Sequence, residues 1–204
     1  MHLLTTLLTF GKARDPRPTM NLRLAGPRVI LRAAQPADWP AWRTLRDMSR
    51  DFLVPWEPEW PLNCLSPGFF NSMLRGQWRD WERGRAYSFL ICARPSRRGM
   101  KGALLGGIAL NDLRRGVAQK ATLGYWIGKP HARHGYMTEA ASLVCDFAFT
   151  TLRLNRLEAS CLPNNEPSKC LLRRLGFVEE GFAKSYLRID GAWRDHILWG
   201  KTAP

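Results

Sequence analysis

The chain has 204 residues, 45% of them apolar, with nine tryptophans and nine phenylalanines. That is enough apolar material for one domain with a sizeable core, and it excludes a disordered polypeptide. No window approaches the length of a membrane span, so no membrane partner is expected. Thirty-one Lys and Arg against 17 Asp and Glu give a net charge of +14 and a pI near 10.4, which points to an anionic partner.

The basic residues are mostly arginine and run along the whole chain, without a concentrated block. Such charge is either a solvated surface or an attraction to a nucleic-acid-rich assembly or an anionic cofactor. The five cysteines (Cys64, Cys92, Cys145, Cys161 and Cys170) form no CxxC pair. An odd, unpatterned set suits a reducing cytoplasm, with Cys92, Cys145 and Cys161 as small core residues. His131 and His134 stand three apart without a companion ligand cluster, so no metal is expected.

In chain order, residues 1–10 (MHLLTTLLTF) are apolar but lack a basic leader and a small-residue cleavage site, and read as an extra packed element or a loose leader. Residues 11–19, with Pro16 and Pro18, read as a linker, so residues 1–20 form an arm and 21–204 a single domain. Residues 28–33 (RVILRA) read as the first strand. Asp38 is placed to cap a helix on which Trp42, Leu45 and Met48 recur at helical spacing. Residues 52–62 (FLVPWEPEWPL) hold three prolines and two tryptophans and read as stiff and extended, either a connector plugging the core or one wall of a substrate cleft. Ser66-Pro67 opens a helix whose face carries Phe70, Met73, Gln77 or Trp78, and Trp81.

Strands follow at 87–93, 103–110 and 119–127, with a basic turn over 94–102. Residues 123–139 (LGYWIGKPHARHGYMTE) then join a strand, a tight basic turn and the first turn of a helix. N–H groups at a helix start lack intrahelical partners, and the dipole adds positive charge, so this segment builds a phosphate cradle. Gly135 permits close backbone approach, and Arg133 and His134 bring donors beside it. Leu143, Val144, Phe147 and Ala148 give the following helix a packed face. A fifth strand covers 155–162, Asn165 caps a helix closed by Gly176, and Asp190-Gly191 signals a type I′ turn between strands at 182–189 and 192–200.

This order, with the cradle after the fourth strand, resembles the GCN5-related N-acetyltransferase (GNAT) superfamily over nearly the whole chain. Its signature, Arg/Gln-x-x-Gly-x-Gly/Ala, falls on Ala132 to Met137, with Ala132 and Met137 departing from it. The stretches GYMTEA (135–140), LNRLEASCLPNNEPSKCLLRRLGF (154–177), YLRIDGAWRDHILW (186–199) and PWEPEWP (55–61) are similar to the bacterial ribosomal-protein-alanine N-acetyltransferase branch.

The resemblance implies an α/β (α+β) GNAT fold: a mixed, mostly antiparallel sheet of about seven strands, splayed between the fourth and fifth, with helices on both faces. It implies acetyl transfer from acetyl-CoA, directly and without a metal, to a protein N-terminal amine, an alanine of a ribosomal protein. It further implies that the pantetheine arm pairs with the exposed edge of the fourth strand at Trp126, Ile127 and Gly128. The pyrophosphate would rest on Arg133, His134, Gly135, Tyr136, Met137 and Thr138, and Asn165 and Ser168 would reach the arm. Asn165 is equally a helix cap in its own right.

Such transfer needs a neutral amine, and a protein α-amine titrates near about 7.7–8.0 against about 10.4 for lysine, so a modest base suffices. Glu158, on the fifth strand, is the candidate base; its other reading is a structural carboxylate paired with arginine. A backbone N–H near Ile127 would stabilise the oxyanion. The tyrosine that many GNAT members carry four residues before Gly-Phe falls on Leu172, leaving Tyr186, Ser168 or water to protonate the thiolate. Tyr186, Arg188 and Asp195 on the terminal hairpin would read the acceptor, or else serve as structural cross-strand pairs. Expected partners are a ribosomal protein or the ribosome, with rRNA contact, and the protein itself as monomer or homodimer. Two other readings stay open: acetylation of a small amine, and a ribosome-assembly factor that binds RNA with secondary catalysis.

Overall fold

The computed structural model describes residues 18–95 and 102–204. The expectations for residues 1–10 and most of the 94–102 turn lie outside them. Eight strands form one open sheet: β1 (Arg23–Ala25), β2 (Val29–Arg32), β3 (Tyr87–Ala93), β4 (Leu104–Arg114), β5 (Lys120–Ile127), β6 (Arg156–Cys161), β7 (Val178–Ile189) and β8 (Ala192–Thr202). Their order is β1-β2-β3-β4-β5-β6-β8-β7, and every pairing is antiparallel except β5 with β6. The sheet has one strand more than expected, because β1 is only three residues long and carries no alternating pattern to reveal it.

Helices cover both faces: α1 (Trp39–Met48), α2 (Arg50–Leu53) and α3 (Pro67–Glu82) precede β3, α4 (Tyr136–Asp146) follows β5, and α5 (Glu166–Arg174) follows β6. Strand alternation therefore buries side chains in two directions. Phe89 and Ile91 of β3 join Val144, Phe147 and Ala148 in the larger core, while Leu90 and Cys92 join Trp42, Phe70 and Leu74 in the smaller one. All five cysteines are free, and only Cys170 is exposed. No helix among the described residues is long and apolar enough to cross a membrane.

Three local expectations are corrected. Asp38 does precede α1 but makes no side-chain cap there. Its carboxylate instead accepts two 2.7 Å bonds from Arg32 and one of 2.8 Å from the Gln35 N–H. Met48 leaves the packed face and is mostly exposed, while Trp42 and Leu45 are buried. The 52–62 segment is not extended throughout: α2 runs into a 3-10 turn over Val54–Trp56. Pro55 sits early in that turn, where its fixed φ fits and its missing N–H costs nothing. Elsewhere the punctuation works as expected. Ser66 Oγ accepts from the Phe69 N–H, Gly176 ends α5 with φ +79°, and Asp190 and Gly191 both have positive φ.

Candidate active site

The sheet opens at one place. Strands β5 and β6 pair only through Lys120–Arg156, Ala121–Leu157 and Thr122–Glu158. Beyond Thr122, β5 stays bound to β4 as far as Ile127 opposite Gly106, while β6 stays bound to β8. Among the described residues, the edge of β5 that faces β6, including Trp126 and Ile127, is thus left without a strand partner, and a slot runs between the two strands. Gly128 ends β5 under α1, where a Cβ would lie 2.3 Å from Leu45 Cδ1.

The chain then makes a 3-10 turn over Lys129–His131, fixed to the end of α1 by a 2.9 Å bond from the Lys129 N–H to the buried Ser49 Oγ. Arg133 and Gly135 adopt left-handed φ of 64° and 79°, which turns the backbone into α4. The first bond of that helix runs from the Glu139 N–H to Gly135 O, at 3.2 Å. The N–H groups of Tyr136, Met137 and Thr138 consequently point out of its start. The expected cradle is formed in backbone geometry.

Two residues that sequence reasoning did not single out brace it. Glu139, in the first turn of α4, accepts from the Arg28 and Val29 N–H groups at 2.8 and 3.1 Å and from Arg28 Nε at 3.0 Å. Burial raises its carboxyl, but these hydrogen bonds outweigh that and hold it below its ordinary value. Arg28 also donates to His134 O at 3.0 Å and lies over the Tyr136 ring at 5.1 Å. Burial and the neighbouring His134 push the His131 imidazole below its ordinary value. A 480 Å³ pocket adjoins the cradle, with Arg28, Thr138, Ser142 and Arg174 in its wall. Glu139 was inside the segment already read as a cradle; Arg28 is over a hundred residues away, and no spacing rule reaches it.

Across the slot, Asn165 Oδ1 accepts from the Ser168 N–H at 3.1 Å and caps α5. Its NH₂ finds no protein acceptor among the described residues, which leaves two donors for a ligand. Ser168 Oγ lies 2.7 Å from the Tyr125 hydroxyl, a bond that bridges β5 and α5 over the slot. Burial drives the Tyr125 phenol far above its ordinary value despite that bond, so it stays protonated. Cys161 closes the group, and burial raises its thiol as well. Leu172, where the usual tyrosine would stand, is fully buried core.

The candidate base stands apart from this group. Glu158 sits opposite Thr122, where β5 and β6 still pair, before the slot opens. Its carboxylate accepts from Lys120 Nζ at 2.6 Å and Arg156 Nε at 3.0 Å, and Arg156 reaches on to Glu180. Burial raises its carboxyl, but these two cations hold it below its ordinary value. That is the surrounding of a structural ion pair.

At the other end, an open 590 Å³ cleft lies between the 3-10 turn at Pro55 and Trp56, the β6–α5 loop at Asn164, and the hairpin at Asp190, Trp193 and Asp195. Of the three acceptor candidates, only Asp195 lines it; its Oδ1 accepts from the Ser185 N–H at 2.8 Å. Tyr186 lies against the His196 ring at 5.7 Å, and Arg188 donates to Gly191 O at 3.0 Å, both outside the cleft wall. Trp193, 65% exposed, and the turn residue Asp190 line the cleft beside Asp195. Among the described residues, no group of three His, Cys, Asp or Glu is arranged to hold a metal.

A splayed sheet with a helix N-terminus at its mouth is the geometry expected of the GNAT fold, and residues 28–178 match the family Acetyltransf_3, described as Acetyltransferase (GNAT) domain. The chain belongs to the GNAT acetyltransferase family. Within that family it is 33% identical over 187 residues to the [Ribosomal protein uS5]-alanine N-acetyltransferase of Escherichia coli (strain K12), covering 90% of this chain and 92% of that one. Among solved structures, Mycobacterium smegmatis RimJ in complex with CoA-disulfide superposes with a TM-score of 0.80 at 32% identity, over 87% of this chain and 86% of that one. The ribosomal-protein-S5-alanine acetyltransferase of Vibrio fischeri gives 0.80 at 26% identity, over 89% and 96%. The protein is a GNAT N-acetyltransferase that uses acetyl-CoA as cosubstrate.

Proposed function

We propose that the protein acetylates the N-terminal alanine of a ribosomal protein by direct transfer from acetyl-CoA. The observation that carries this reading is the meeting of the β5–β6 slot with the open cleft at the β6–α5 loop. A slot of that kind takes a slender thioester arm, and an open cleft of 590 Å³ admits the end of an extended chain. The uS5-alanine enzyme of E. coli, similar over nine-tenths of both chains, supports the acceptor.

Acetyl-CoA supplies an activated thioester. The backbone of Trp126, Ile127 and Gly128 would hold its arm, and a backbone N–H near Ile127 would stabilise the oxyanion. The N–H groups of Arg133, His134, Gly135, Tyr136, Met137 and Thr138 would hold the pyrophosphate, and the NH₂ of Asn165 would donate to the arm. Arg28 and Arg174 give the adjoining pocket two cations, suited to the remaining nucleotide phosphate.

Ser168 is the proton donor to the departing sulfur. Ser168 Oγ and the protonated Tyr125 phenol share a 2.7 Å bond in which either hydroxyl can donate, and with the phenol donating the Ser168 proton is available to the departing sulfur. An α-amine sheds its own proton to solvent near neutral pH, so the acceptor needs no strong base, and Glu158 serves β5–β6 pairing. Asp195 and Asp190 face the incoming ammonium from the cleft wall. Tyr186 and Arg188 stand outside that wall, and contact residues further along the acceptor.

The net charge of +14 suits work on a cytoplasmic ribosome, with rRNA phosphate attracting the enzyme. Mass spectrometry of ribosomal-protein N-termini with and without the gene tests the acceptor. One N-terminal alanine should lose its acetyl group in the deletion; an unchanged pattern refutes this acceptor and promotes a small-amine one.

A further inference from the structure

The two walls of the open cleft belong to distant parts of the chain, and one residue joins them. Glu57 follows the 3-10 turn that carries Pro55 and Trp56. Its carbonyl oxygen accepts from the Asp190 N–H at 2.9 Å, at the first turn residue of the terminal hairpin. Its carboxylate faces the other way and takes a two-pronged bond from Arg46 of α1, at 2.7 and 2.6 Å. A third donor, Trp60 Nε1, closes on the same carboxylate at 2.8 Å.

The Arg46 guanidinium is itself boxed. Trp60 lies 4.1 Å from it, Trp126 of β5 4.9 Å and Trp42 5.8 Å, all within cation–π range. Both partners of the pair are largely buried, at 13% and 19% side-chain exposure. Arg46 Nε is buried with no hydrogen-bond partner among the described residues. A buried ion pair of this kind is no more stable than a well-packed apolar pair of similar volume, and an orphaned donor makes it less so. What it provides is direction. A planar fork on a carboxylate fixes the orientation of Glu57, and through its carbonyl the spacing of the turn to the hairpin.

We infer that Arg46 and Glu57 are positioning residues that set the width of the acceptor cleft, acting through Pro55 and Trp56 on one wall and Asp190 on the other. The inference rests on assigning that cleft to the acceptor. Neither residue touches the reacting groups. The expected signature is a change in acceptor recognition far larger than any in cosubstrate binding, because the cradle at Arg133 to Thr138 and the cap at Asn165 share no hydrogen bond with the pair. Arg46 meets Trp126 through its ring, while the β5 edge acts through backbone.

The test uses the full-length enzyme, acetyl-CoA and a synthetic alanine-initiated peptide of the uS5 N-terminus. Three variants are compared: Glu57→Gln, Arg46→Lys, and the apolar swap Arg46→Met with Glu57→Leu. The swap restores packing without the fork. It should stay folded, bind acetyl-CoA within about twofold of wild type, and raise the peptide KM about tenfold or more with kcat little changed. Arg46→Lys keeps the charge without the fork and should fall between swap and wild type.

Hydrogen exchange of the Asp190 amide supplies a readout independent of turnover. Its protection should drop about tenfold in the swap while that of β3 and β4 stays put. Unchanged peptide KM in a folded, acetyl-CoA-binding swap overturns the inference, as does a parallel rise in both KM values, which marks a merely structural pair. A wild-type enzyme that binds acetyl-CoA but leaves the peptide unmodified overturns the acceptor assignment instead. The Asp190 exchange then still decides whether the pair holds the hairpin, and unchanged protection sinks it.

Discussion

Glu139 and Glu158 are both carboxylates held below their ordinary value despite burial, Glu139 by hydrogen bonds from Arg28 and Val29 and Glu158 by Lys120 and Arg156. A carboxyl depressed in the folded state stabilises it above the unfolded value of about 4.3, and the contribution is lost as pH falls through the lower folded value. Acid unfolding below about pH 4.3 should therefore be shallower in Glu139→Gln and Glu158→Gln than in wild type, as followed by circular dichroism. At neutral pH, Glu158→Gln should cost at most about 1 kcal/mol, being a half-exposed pair, and leave kcat within about twofold. A loss of a hundredfold or more would restore Glu158 as the base. Ser168→Ala is expected to do the opposite, lowering kcat about tenfold to a hundredfold with acetyl-CoA affinity held, and Tyr125→Phe should repeat part of that loss. Stopped-flow transfer measurements separate the two; an unaffected rate in Ser168→Ala would remove the proton donor.

At the scale of elements, the cradle depends on one backbone conformation. Gly135 sits at φ +79°, and a Cβ there would also stand 3.1 Å from Arg28 Nη2. Gly135→Ala should cost about 1–2 kcal/mol at this turn and weaken acetyl-CoA binding about tenfold, measurable by calorimetry. Equal affinity in the two proteins would mean that the loop does not hold the pyrophosphate. The elements themselves were largely legible because their signals are local. Ser66-Pro67, Asn165, Gly176 and Asp190-Gly191 each mark a helix end or turn through side-chain or φ chemistry confined to a few residues. Where the competition was non-local, the sequence misled. Asp38 has the right place for a cap, but Arg32 on β2 takes its carboxylate. The 52–62 segment is resolved by partners far away: Pro55 and Trp56 line the cleft as a wall, while Trp60 plugs against Arg46. Arg28, Tyr125 and the Trp193 edge of the cleft could not be found by spacing, since their roles exist only once the sheet is assembled.

For the whole molecule, the site on the proposed reading divides into a cosubstrate half, on the free edge of β5 and the start of α4, and an acceptor half, on the 3-10 turn and terminal hairpin, which meet at the β6–α5 loop. On the same proposal, the positive charge outside the cosubstrate pocket attracts the enzyme to ribosomal RNA. Association with ribosomes should weaken steeply as salt rises, while turnover of a short free peptide should change far less. Sedimentation with ribosomes and peptide assays over the same salt series would show this, and parallel curves would argue against an electrostatic role. The most direct measurement of the central claim is intact-mass analysis of the uS5 N-terminal peptide incubated with the purified enzyme and acetyl-CoA, alongside the same peptide blocked at its α-amine. One acetyl group on the free peptide and none on the blocked one is the predicted result. Acetylated lysine in both peptides, or no acetylation by an enzyme that binds acetyl-CoA, would contradict it.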